Sequence, residues 1–193
     1  MAQGEVFLDL ETKLQPYEVP GSWSNPAGFG LAVAVTWDSV LGYRAWPESQ
    51  VSPLVTYLAG FPTVVGFNIQ RFDYGVISAY SPDIYHLLST STIDIIIELR
   101  RYLGRWVGLD SVARATLGRG KTATGAMAPE WYRTGSWESL VTYCVDDVAL
   151  TRDVYLFGKR YGHVYCLPPF SKVGSIKVPA SWAKAPAETR GIF

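Results

Sequence analysis

The sequence predicts an α/β fold, a mixed β-sheet flanked by helices. Two observations carry this expectation. Three extended segments follow one another in the first quarter of the chain, and from residue 51 onward helical and extended periodicities alternate. An apolar content of 48% over 193 residues is enough for one domain with a sizeable core and argues against disorder over most of the length.

The elements read in order. Glu5-Val6-Phe7-Leu8-Asp9-Leu10 is a short apolar run, a buried strand. Residues 13–25 are rich in Pro, Gly and Ser and read as a loop. Residues 30–37 and 41–46 are two further strands joined by a turn at Asp38-Ser39. Residues 51–59 have apolar side chains at helical spacing. Residues 63–67 are short and β-branched, another strand. Residues 72–80 form a helix that Ser81-Pro82 stops. Thr92-Ile93-Asp94 begins extended and yields to a helix through Leu103; residues 109–117 form a helix ended by Gly118. The last strong helix runs from an N-cap at Ser136 to about Arg160. His86 reads as a loop or surface residue, and His163 as a C-terminal cap of that last helix. Beyond Cys166 the prolines at 168, 169, 179 and 186 interrupt the pattern, and only Ile176-Lys177-Val178 suggests a strand. We therefore expect a catalytic domain over residues 1–165 and an appendage or tail over 166–193.

The bulk chemistry narrows the function classes. Cys144 and Cys166 make neither a metal-ligand pattern nor a disulfide framework, which points to a reducing compartment. No apolar run is long enough to span a bilayer. Met1-Ala2-Gln3-Gly4-Glu5 lacks a charged-then-apolar leader. The expectation is a cytoplasmic protein. The zero net charge hides an asymmetry: residues 1–99 carry 3 Lys/Arg against 10 Asp/Glu, and residues 100–133 carry 7 against 2. That basic stretch, with Arg119, Lys121 and Arg133, suits a phosphate backbone. Each arginine taken alone equally suits a solvated helix face.

Three carboxylate motifs stand out. In a strand Asp9 and Glu11 point to the same side of the sheet. Two acids within an apolar run are costly without a compensating cation, although an edge strand with one solvated face would also explain them. Asn68 and Asp73 flank a strand-to-helix step, with Asp73 in the first helical turn, where the helix dipole favours a carboxylate by itself. Tyr143 and Asp147 are four apart and share a helix face; Asp146, three from Tyr143, competes for the same role. Converging on one core, four carboxylates would bind two divalent cations, as phosphodiester cleavage requires. An all-oxygen ligand set, with no suitable His or Cys cluster, favours Mg²⁺ or Mn²⁺ over Zn²⁺.

Taken together, Asp9-x-Glu11, Asn68-x-x-x-Phe72-Asp73 and Tyr143-x-x-x-Asp147 resemble the motifs of DEDDy-type 3′-5′ exonucleases in the DEDD (DnaQ-like) superfamily, which have a ribonuclease H-like fold. Thr92-Ile93-Asp94 and the segment from Gly108 to Gly118 are similar to that family's text between the second and third motifs, and the likeness covers residues 5–160. The family's spacing favours Asp147 over Asp146. The resemblance implies that Asp9, Glu11 and Asp147 hold one metal and Asp9 with Asp73 a second, two per site. It implies that Tyr143 orients the attacking water. It also places Leu10, Thr12, Asn68 and Phe72 against the terminal nucleotide, although core packing equally explains Phe72.

The activity so implied is release of nucleoside 5′-monophosphates from single-stranded DNA ends, with DNA ahead of RNA. The alternatives are a 3′-5′ exoribonuclease and a catalytically inactive nucleic-acid-binding or accessory subunit. Trp131-Tyr132-Arg133 could stack on unpaired bases beside a phosphate contact, though such aromatics more often anchor a core. A polymerase or helicase is the expected protein partner, reached through residues 166–193.

Overall fold

A computed structural model describes residues 4–122, 125–169 and 174–183. The first strand, β1 (Glu5–Thr12), is the spine of a five-stranded sheet. It pairs antiparallel with β2 (Leu31–Asp38), which pairs antiparallel with β3 (Gly42–Pro47). On its other edge β1 pairs parallel with β4 (Thr63–Gly66), and β4 pairs parallel with β5 (Thr92–Asp94). The order β3-β2-β1-β4-β5 is a mixed sheet, as the run of three strands followed by alternation predicts.

Register decides what each side of the sheet can do. Val6, Leu8 and Leu10 point to one side and enter the main core. There they meet α1 (Val51–Ala59), α2 (Asp73–Ser78) and the short α3 (Ile84–Leu88). Leu54 and Leu58 are fully buried in this layer, and cutting either to Ala should cost about 2–5 kcal/mol. Phe7, Asp9 and Glu11 point to the opposite side, where Phe7 packs on Trp37 at 5.7 Å. The pairing shifts between Glu11 and Thr12 and so ends the regular ladder at the acidic pair.

The remaining helices are α4 (Ile95–Leu103), α5 (Leu109–Leu117), α6 (Ala128–Arg133) and α7 (Trp137–Tyr161). Gly118 ends α5 in a left-handed conformation, and its N–H bonds Arg114 O at 3.1 Å, as the glycine predicts. A final antiparallel pair joins β6 (His163–Cys166) to β7 (Ile176–Pro179).

The chain divides into two compact units, residues 1–94 with 121–152 and residues 95–120 with 153–193. The first contains the five-stranded sheet. The second has its own core, with Leu99, Val112, Val154, Val164 and Val178 fully buried. A single boundary after residue 165 does not appear in this grouping.

Several expectations need adjusting. The segment 13–29 is not featureless but carries three short 3-10 turns, Pro16–Glu18, Ser22–Ser24 and Pro26–Phe29. His86 is exposed, but it lies on α3 rather than a loop. His163 is the first residue of β6, and its Nδ1 donates to the carbonyl oxygen of Tyr161, the last residue of α7, at 2.8 Å. The basic stretch 100–133 is divided between the two units. Its members up to Arg119 belong to the second unit, while Lys121 and Arg133 belong to the first.

Candidate metal centre and base pocket

Everything in this site comes from the first unit. Asp9 and Glu11 project from β1 toward the part of α7 that carries Tyr143, Cys144 and Asp147. A carboxylate oxygen of Asp9, one of Glu11 and the Cys144 sulfur all lie within 4.8 Å of one another. Glu11, Asp73, Tyr143 and Asp147 are buried, while Asp9 keeps partial exposure.

The second motif is built by a turn. Asn68 takes a left-handed conformation at φ 69°, which costs an Asn less than most residues. The buried carboxylate of Asp94, at the end of β5, accepts the Asn68 N–H at 2.7 Å and the Gln70 N–H at 3.0 Å. Gly66 just before the turn leaves room for it: a Cβ there would meet Ile69 Cγ2 at 2.0 Å. The turn delivers Asp73 into the first position of α2.

The electrostatics show why these acids belong together. Burial, then the Asp147 charge, pushes the Asp9 carboxyl from its usual 3.8 up to about 7. Burial and the charges of Asp9 and Asp147 hold Glu11 well above its ordinary value. Burial, Asp9 and Asp94 do the same to Asp73. Asp147 is raised by burial even though Lys121 opposes the shift. Asp73 Oδ1 and Asp147 Oδ1 are buried without a hydrogen-bond partner among the described residues. Buried carboxylate oxygens left in this condition fit a divalent cation of the Mg²⁺ class.

Lys121 has a different place from the one its sequence context suggests. Its Nζ donates to Asp147 Oδ2 at 2.5 Å and to the Tyr143 hydroxyl at 3.4 Å. Burial, which lowers a lysine's affinity for its proton, is outweighed by Asp147 and Asp9, so its pKa is raised and the ammonium persists. Asp146 turns elsewhere and accepts from Thr122 Oγ1 at 3.0 Å. Burial, then Asp147, raises the Tyr143 hydroxyl above its ordinary value, which keeps it a neutral phenol. Nothing in the sequence pattern marks Cys144 as a site residue. Burial first, then Asp9, holds its thiol well above the usual range. It therefore stays an S–H donor, to Asp9 O at 3.4 Å, and not a thiolate ligand.

Beside Glu11 lies a cavity of about 190 Å³ whose lining includes Leu10, Thr12, Trp23, Phe29, Phe72 and Pro129. Trp23, Phe29 and Phe72 form a mutual aromatic cluster with centroids 5.4–5.6 Å apart. Asn68 lines an adjoining depression with Trp23, Arg71 and Phe72. So Leu10, Thr12 and Phe72 share one cavity and Asn68 borders the next.

The other predicted contacts are engaged elsewhere. Arg119 lies in the second unit and pairs with Asp153. Arg133 pairs with Glu18 at 2.5 Å and Glu130 at 3.6 Å. Either would have to exchange partners to meet a phosphate. Trp131 packs on Tyr143 at 5.8 Å and so backs that site residue, while Lys13 Nζ sits 5.2 Å over the Tyr132 ring.

Among the described residues no helix is long and apolar enough to cross a membrane. No curated protein matches the chain. A solved structure, the family B DNA polymerase from the hyperthermophilic archaeon Pyrobaculum calidifontis, is similar in fold, with a TM-score of 0.56 and 13% identity. The match covers 80% of this chain and 25% of that one, so the chain spans about a quarter of the polymerase's length. The model of the RNase_H superfamily matches residues 6–156, which takes in Asp9 and Glu11 of β1, Asp73 of α2 and the part of α7 that carries Asp147. With the sheet order and acidic cluster described above, the chain belongs to the RNase_H superfamily, whose fold includes nucleases.

Proposed function

We propose that the first unit is a metal-dependent 3′-5′ exonuclease acting on single-stranded DNA ends and releasing nucleoside 5′-monophosphates. The observation that carries this reading is the convergence of Asp9, Glu11, Asp73 and Asp147, from three distant motifs, on one cluster in which burial raises every carboxyl and the neighbouring acids raise Asp9, Glu11 and Asp73 further. Asp9, Glu11 and Asp147 would hold one Mg²⁺ or Mn²⁺, and Asp9 with Asp73 a second. When bound, two such cations neutralise charge on the attacking and leaving oxygens.

The chain's own groups supply position. Tyr143, kept protonated, would orient the attacking water through its hydroxyl. Lys121 acts as a positioning residue, steadying Tyr143 and Asp147 at the distances given above. The cavity of Leu10, Thr12 and Phe72, bordered by Asn68, is the right kind of place for a terminal base: apolar and aromatic walls with few polar groups among them. The similar solved structure is a DNA polymerase, which supports DNA ahead of RNA and a polymerase as partner. The superfamily's name keeps the exoribonuclease reading open to the same test.

That test is digestion of 5′-end-labelled DNA and RNA oligonucleotides with Mg²⁺ or Mn²⁺. A descending ladder with mononucleotide products is expected, and none in chelator. Cleavage of a circular single strand would show an endonuclease and overturn the end specificity. A ladder on RNA alone would replace DNA by RNA as the substrate.

A further inference from the structure

We propose that the second unit is a holding surface for the phosphate backbone of single-stranded nucleic acid. The inference rests on the nuclease reading of the first unit for its purpose, but not for its evidence. The chain's zero net charge is sorted by unit. The first unit carries 6 Lys/Arg against 13 Asp/Glu, and the second carries 11 against 4. The opposed values, −7 and +7, follow the fold and not the sequence order, because the second unit collects residues 95–120 and 153–193.

Two groups of cations in the second unit contrast. Arg101, Arg114 and Arg119 are neutralised by Glu98, Asp110 and Asp153. Arg100, Arg160 and Lys177 are exposed, and none of the ion pairs in the described residues involves them. Two of these three sit over exposed aromatic rings. The Arg100 guanidinium is 4.2 Å from the Trp106 ring, and that of Arg160 is 5.3 Å from Tyr161. Trp106 is 43% exposed, Tyr161 50% and Tyr102 61%. Single exposed aromatics are ordinary on a protein surface. Interleaved with cations they are what an unpaired strand binds, phosphates to the cations and bases to the rings.

The three cation-bearing elements are tied together. Ser181, in the turn after β7, donates to Glu98 on α4. Trp182 in the same turn stacks on Tyr155 of α7 at 6.2 Å, and its Nε1 donates to Tyr155 O at 3.0 Å. One short turn thus links α4 with Arg100, β7 with Lys177 and the end of α7 with Arg160. Arg100 and Lys177 belong to elements in direct contact.

The experiment uses the full chain carrying Asp9→Ala, which stops cleavage, and a fluorescein-labelled oligothymidylate read by anisotropy. Across about 50–200 mM salt, log K should fall with a slope set by the phosphates contacted. Arg100→Gln, Arg160→Gln and Lys177→Gln together should make that slope shallower by about 2, at about 0.7 per contact on a single strand. Affinity at 0.1 M salt should drop at least tenfold. The charge-keeping set Arg100→Lys, Arg160→Lys and Lys177→Arg should keep the slope. An unchanged slope in the glutamine variant overturns the proposal, as does an equal loss in the charge-keeping set, which would make the role structural. With Asp9 restored, thymidine 5′-p-nitrophenyl phosphate, which has no strand to hold, should be hydrolysed equally by wild type and the glutamine variant. A wild type that binds oligothymidylate but hydrolyses neither substrate would remove the exonuclease reading and leave the holding surface standing.

Discussion

The two units of this chain solve opposite electrostatic problems. The first concentrates acids in a buried cluster with Lys121 as the close cation and leaves two carboxylate oxygens without a hydrogen-bond partner among the described residues. The second spreads bases over exposed positions, and Arg100, Arg160 and Lys177 enter none of the ion pairs among the described residues. Buried like charges are tolerated only where something from outside completes them. Exposed like charges cost little and act at a distance. The first arrangement suits a small, hard cation and the second a long polyanion. An acidic unit alone would repel nucleic acid, so a nuclease built on it gains from a basic companion in the same chain.

The division of labour between the units is most exposed at Asp9. Asp9→Ala should lower turnover by about 10³-fold or more, because it removes the carboxylate proposed to serve both cations. Strand binding by the second unit should survive. Loss of binding together with turnover, measured by anisotropy, would show that the two units do not divide the work.

A smaller effect sharpens the first unit's half. Asp147→Asn should slow cleavage about 10²-fold, while Asp146→Asn, whose side chain meets Thr122, should stay within about threefold. Equal losses in single-turnover rates would move the metal role to the pair. Tyr143→Phe removes only a hydroxyl and should slow cleavage about tenfold while leaving metal affinity, read by calorimetry, nearly unchanged.

The mildest effect is in stability. An acid whose pKa is higher folded than unfolded binds its proton more tightly in the folded state. Its contribution is present at low pH and lost as pH rises through the folded value. For Asp9 that window runs from the usual 3.8 to about 7, and Glu11, Asp73 and Asp147 act in the same direction. In chelator the melting temperature should therefore fall between pH 5 and pH 8. Saturating Mg²⁺ should reverse the loss, by about 2.7 kcal/mol at a hundredfold excess over Kd. A metal-free protein that melts higher at pH 8 than at pH 5 would contradict the raised carboxyls.

What the sequence makes legible follows from the range of the forces involved. β1, β4 and α7 are visible because each is a local apolar pattern, and the parallel and antiparallel partners follow from their order. The acids are visible because each motif is compressed into a few residues. The roles of Lys121 and Asp94 are not visible. Their partners are 26 residues away, and nothing local marks a lysine as pairing with Asp147 or an aspartate as bonding Asn68 N–H. α3 and α6, with five and six residues, are too short for periodicity to register. The second unit is hidden for a further reason: its two segments are separated by residues 121–152 of the first.

The Asp94 carboxylate has a consequence for how the chain comes to life on the ribosome. The turn carrying Asn68 holds a left-handed residue that is not glycine, and the groups that stabilise it lie on a strand made later. A nascent chain that has emerged only to Ile93 has β4 and α2 in outline but no acceptor for the Asn68 and Gln70 amides. Asp73 is then attached to a hinge and not to a fixed turn. We expect amides 68 and 70 to exchange rapidly in a stalled chain lacking residue 94 and slowly once it is present. The proposed joint use of Asp9 and Asp73 would thus wait until residue 94 is made, although both acids have by then already emerged.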